Sequence, residues 1–118
     1  WAKTMLQFTC SFPFFSDENK AKQTQKNEYT SVYIMTLEES GEWSALLNGS
    51  YGAAPLSVLA GNNIFNLFEV TSANVVNITT LQPNFELGRA KVVHSRHAVI
   101  PDSDIWYPTQ FYGECTIK

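Results

Sequence analysis

The chain has 118 residues, a formal net charge of −3 and only 16% charged side chains, which fits one compact domain and argues against disorder. Its eight basic residues are scattered, and the nearest approach to a cluster (Lys20, Lys22, Lys26) is interleaved with Asp17, Glu18 and Glu28, so a nucleic-acid footprint is excluded. No run of 18 or more apolar residues is present, so no membrane-spanning helix is expected. The start, WAKTMLQFTC, lacks the apolar core of a signal peptide, and an exported chain would already have been processed.

Period-two alternation dominates from the start, which is the mark of half-buried strands. Met5–Phe12 places Leu6, Phe8, Cys10 and Phe12 on one face. Ser16–Glu28 has no apolar side chain larger than Ala21. Without an apolar stripe it reads as a solvated loop, with one or two helical turns as its most structured form. Strands are then predicted at Ser31–Leu37, Glu42–Asn48 and Leu56–Ala60. Gly61-Asn62-Asn63 reads as a tight hairpin turn, because Gly and Asn tolerate positive φ. Ile64–Val70, Val75–Leu81, Arg89–Ile100 and Thr109–Ile117 complete a set of eight, with Pro101–Pro108 as a proline-bounded loop. Turn signals about every ten residues identify an all-β domain.

Eight strands joined by short turns form an antiparallel meander, and the predicted architecture is an eight-stranded up-and-down barrel. A two-sheet sandwich is the alternative. The cysteines bear on this choice. Cys10 lies on the apolar face of the first strand, and Cys115 shares parity with Phe111 and Ile117 in the last. If those strands pair, both thiols face one interior and bridge. Such a bond implies an oxidising compartment, and a loop this long contributes about 4–5 kcal/mol in the chain-entropy view.

Both histidines fall in Val92-Val93-His94-Ser95-Arg96-His97. Strand geometry turns residues three apart to opposite sides, so His94 and His97 should diverge, and neither a metal site nor a catalytic pair is expected. The predicted role is a structural polar cluster drawing on His94, Arg96, His97, Glu69 and Glu114, with one imidazole inside. Candidate binding residues are Phe14 and Phe15 at the end of the first strand, with Trp106 and Tyr107 in the last loop, because loops seldom expose such rings without a use. Asp102 and Asp104 lack the further oxygens of a calcium loop. The triplets at Asn48 and Asn77 match a glycosylation pattern that arises often by chance.

The stretches LNGSYGAAPLSVLAGNNIFNLFEVTSANVVNITTL, KVVHSRH and PTQFYGECTI, within residues 46–117, resemble a group of small exported bacterial β-proteins with a VHSRH-like strand and a closing QYYGxC-like strand. That group has no assigned activity. The resemblance implies export and a compact β-fold, and the polar insertion at Ser16–Glu28 and the Trp106-Tyr107 loop depart from it. The combined expectation is an exported, periplasmic or secreted, non-enzymatic binding module without a cofactor. Its partner would be a protein gripped by loops. The alternatives are a small apolar ligand held inside, as in a lipocalin- or avidin-like carrier, and, less favoured, a small hydrolase using the histidine strand.

Overall fold

The computed structural model describes residues 4–17, 20–49, 52–71, 75–99 and 106–118, and for 17, 20–29, 98–99 and 106–107 the backbone alone. Eight antiparallel strands close into a barrel in chain order: β1 (Thr4–Asp17), β2 (Lys20–Leu37), β3 (Trp43–Gly49), β4 (Gly52–Gly61), β5 (Ile64–Val70), β6 (Val76–Asn84), β7 (Arg89–Val99) and β8 (Trp106–Ile117). Closure is made by β1 on β8. Phe8 faces Ile117 and Cys10 faces Cys115, and the ladder runs on through reciprocal Gln7–Lys118 backbone bonds of 3.1 and 3.0 Å. The disulfide joins Cys10 to Cys115 across this seam, 105 residues apart in sequence.

The alternation in the sequence becomes the inside and outside of the barrel. Phe8, Cys10 and Phe12 of β1, Tyr33 and Met35 of β2, Leu67 of β5, Leu81 of β6, Val92 of β7 and Cys115 of β8 are almost fully buried. In a barrel of eight, β1 lies opposite β5 and β2 opposite β6. The Phe8 and Phe65 rings meet across that diameter at 6.1 Å, edge to face, and Trp43 stacks its edge on Phe65 at 5.0 Å. The Tyr33 hydroxyl reaches Thr79 on the far wall at 3.3 Å. An eight-stranded barrel is just wide enough for side chains to fill, and here they span it at two levels.

The β2–β3, β4–β5 and β6–β7 turns lie at one end, together with Thr4 and Lys118. Between β4 and β5, Asn62 and Asn63 both take positive φ (51° and 60°). This is the mirror-image turn whose twist suits a two-residue hairpin. The β2–β3 turn is held by Gly41 N–H donating to Glu38 O at 2.9 Å and Glu38 N–H donating to Glu42 O at 2.8 Å.

Two expectations need correction. The described residues of Ser16–Glu28 are strand, neither loop nor helix: Phe14, Phe15 and Asp17 pair with Thr24, Gln23 and Lys20 of β2, and Phe14–Asp17 also pair with Tyr112–Thr109 of β8. The backbone ladder, satisfied on both sides of β1, extends the strand where side-chain pattern gives no reason to. The excess length is taken up in β2, where five steps from Tyr29 to Thr24 oppose two steps from Phe12 to Phe14. The proline-bounded loop is also shorter than expected, since β8 starts at Trp106 and carries Pro108 within it. Residues 100–105, with Asp102 and Asp104, lie outside the described residues.

The β1–β8 seam contains a bulge. Five steps from Cys10 to Phe15 oppose four from Cys115 to Phe111, so β1 carries one extra residue at Phe12–Pro13. Gly113 sits opposite, and a Cβ there would collide with the Ser11 carbonyl oxygen and press on Phe12 Cα. Gly113→Ala should therefore lower stability by about 1–3 kcal/mol in urea unfolding followed by tryptophan fluorescence. Gly49→Ala, whose Cβ meets nothing within 4 Å, should stay within about 0.5 kcal/mol. Equal, small effects would contradict the close approach of β8 to the bulge.

Candidate functional site

Polar side chains on the inward parity gather toward the end of the barrel opposite the tight turns. Register places Glu69 beside Asn77, Asn77 beside Arg96, and Arg96 beside Thr109, a polar row across β5, β6, β7 and β8. The next row inward is Leu67, Thr79, His94 and Phe111. His94 is buried, and its Nδ1 shares a 2.7 Å hydrogen bond with Thr79 Oγ1, which also meets the Tyr33 hydroxyl. With the imidazole neutral and its proton on Nε2, Tyr33 donates to Thr79 and Thr79 donates to Nδ1, so the relay is satisfied. The Phe12 and Phe111 rings flank the imidazole at 6.1 and 6.0 Å.

Burial pushes the His94 pKa below its ordinary value of 6.5; Glu69 opposes the shift and Arg96 adds to it. Asn77 Nδ2 donates to Glu69 Oε1 at 2.9 Å, while Asn77 Oδ1 is buried and has no partner among the described residues. The amide is oriented by the carboxylate, so its carbonyl faces the interior. The Asn77 glycosylation triplet is consequently turned inward in the folded barrel, whereas Asn48 is exposed.

The five residues grouped as one polar cluster separate. His94, Glu69 and Arg96 share the inward parity of neighbouring strands, although Arg96 is exposed at the barrel mouth. His97 stands on the other face of β7 and is exposed. Glu114 faces out at the opposite end and approaches Arg89 at 4.0 Å, both side chains about two-thirds exposed (68% and 67%), a pair of little energetic weight. Alternation from the inward Cys115 already turns Glu114 to the outer face, so it cannot join the inward group.

The four candidate binding rings also part. Phe14 lies on the outer face beside Pro13, Val93 and Tyr112, along a groove of about 520 Å³. Phe15 pairs with Phe111 on the inward parity. Adjacent strand residues take opposite faces, and the bulge at Phe12–Pro13 is what turns Phe14 outward and Phe15 inward. The side chains of Trp106 and Tyr107 lie outside the described residues. A feature that the sequence reading passed over sits at the tight-turn end. The β6–β7 turn exposes Phe85 and Leu87 (52% and 70%), and Phe85 borders two grooves of about 650 and 730 Å³. Two large apolar residues between Pro83 and Gly88 were the available signal.

No protein-family model matches the chain, and no curated protein matches it significantly.

The diverging histidines give a paired test. His94→Ala should cost about 1–3 kcal/mol by taking the imidazole acceptor away from the buried Thr79 hydroxyl, and His97→Ala less than about 0.5 kcal/mol. Because the folded pKa of His94 is lowered, the unfolded chain binds more protons in the window below 6.5. The His94 contribution is therefore complete above about pH 6.5 and lost as pH falls through the folded value. Urea midpoints measured from neutral pH down to about pH 5 should fall in the wild type and in His97→Gln. In His94→Gln the fall should be shallower. An unchanged slope in His94→Gln would show that the imidazole is not held neutral inside.

Proposed function

We propose that this chain is a non-enzymatic binding module that acts through its outer surface and its ends, in an oxidising compartment, periplasmic or extracellular. One observation carries the reading: side chains from opposite walls meet inside the barrel, Phe8 with Phe65 and Tyr33 with Thr79. A carrier of the lipocalin or avidin kind needs that space for its ligand. The disulfide supports export, since such bonds persist in oxidising compartments. The placement of His94, with Nδ1 engaged by Thr79 and the ring flanked by two phenyl rings, favours a structural imidazole over a general base. His97, on the other face of the strand, does not complete a pair with it.

Thermal unfolding with saturating fatty acids, retinoids and small steroids tests the claim about the interior. A ligand held inside at a hundredfold excess over its Kd would add about 2.7 kcal/mol and raise Tm by roughly 5 °C or more. The surface-acting module should show no saturable rise with any of them. A saturable rise would make the interior a ligand site and overturn the reading.

A further inference from the structure

We infer that the groove beside the β6–β7 turn is a binding site for a neutral, polyhydroxylated ligand, such as the end of a glycan chain. This deepens the surface-binding reading and rests on it. The groove, about 650 Å³, falls within the size range of small-molecule sites. Its distinguishing content is planar amides: Asn62 and Asn63 from the β4–β5 turn, with Gln82 and Asn84 from the end of β6. A carboxamide presents a donor and an acceptor side by side, which matches adjacent hydroxyls on a sugar ring, each able both to give and to accept.

Two of these amides are already held in place by the fold. Asn63 Nδ2 donates one hydrogen to Pro83 O at 3.1 Å, leaving its second N–H and its Oδ1. Asn84 Oδ1 accepts from Leu87 N–H at 3.3 Å, leaving both hydrogens of Nδ2. Fixing them in advance lowers the ordering cost of a bound polar ligand. Gln82 and Asn62 make no side-chain hydrogen bond to the described residues. The Phe85 ring, half exposed on the same rim, offers a flat apolar surface of the kind that packs on the C–H face of a pyranose.

The charges in the groove select against the rival chemistries. Arg89 and Lys91 are matched by Glu86 and Glu114. Glu114 lies 4.0 Å from Arg89 and opposite Lys91 in register. A phosphate or sulfate ligand would need an excess of positive charge, which is missing. A lipid would need a mainly apolar lining, and four amides with four charged groups supply the reverse. A neutral ligand rich in hydroxyls suits both the balance of charge and the spare hydrogen-bonding capacity.

The test is a titration of the full isotope-labelled chain, followed through its backbone and side-chain amide NMR signals. The neutral probes are cellotriose, maltotriose and N,N′,N″-triacetylchitotriose; glucose 6-phosphate and decanoate are the anionic and apolar comparisons. At least one neutral trisaccharide should give saturable shifts at millimolar concentration, centred on the side-chain amides of Gln82 and Asn84 and on the backbone of residues 85–88. Phe85→Ala and Gln82→Ala should each weaken that binding by about tenfold, roughly 1.4 kcal/mol, with the rest of the spectrum unchanged to certify the fold. No response to any of the three, or a response to glucose 6-phosphate alone, overturns the proposal. Shifts at Tyr33, Leu67 and Val92 on adding decanoate would instead overturn the surface-acting reading beneath it.

Discussion

Everything in this barrel depends on β1 finding β8. These are the first and last strands, and their pairing converts a meander with two open edges into a closed sheet with none. It is also the most non-local contact available to the chain, and the most expensive in loop-closure entropy. The Cys10–Cys115 bond lies in that seam and spans 105 residues, so it restrains the unfolded ensemble where restraint is worth most in the chain-entropy model. The seam also holds the bulge at Phe12–Pro13 and the Gly113 opposite it. One cross-link, one extra residue and one missing side chain together set how the sheet closes.

Closure then decides what the interior can be. An eight-stranded barrel can fill with side chains or hold one small ligand, and here the Phe8–Phe65 and Tyr33–Thr79 contacts cross the interior. The core is apolar toward the tight turns and polar toward the other end, where His94 is bonded to Thr79 and the Glu69–Asn77–Arg96–Thr109 row begins. The proposed binding role accordingly rests on the surface. The half-exposed Phe85 and its amide-lined groove lie on that surface, at the end where the β2–β3, β4–β5 and β6–β7 turns converge.

Much of this was legible in the residues. Alternation gave the inward faces of β1 and β8, because burial on one side of a pleated strand leaves a period of two. Shared parity of Cys10 and Cys115 implied both the bond and the closure. Asn62-Asn63 announced its turn through the conformations that asparagine tolerates. The polar arm at Ser16–Glu28 was not legible, because the start of β2 is held by backbone pairing with the end of β1, which no apolar alternation in the sequence marks. Which of Phe14 and Phe15 faces inward was also hidden, since the bulge before them changes parity without changing composition. The groove at Phe85 was missed because it assembles two turns and the ends of three strands that are distant in sequence, and no local pattern records their convergence.

The central claim is that the barrel interior is filled by its own side chains. Nuclear Overhauser contacts measured on the protein with carbon-labelled aromatic and methyl groups test it most directly. Contacts between the ring protons of Phe8 and Phe65, and between those of Tyr33 and the methyl of Thr79, should be present in the protein as isolated. They should persist when decanoate or retinol is added. Their absence, or their loss together with new contacts from core side chains to the added ligand, would show an interior that opens to a guest and would contradict the account.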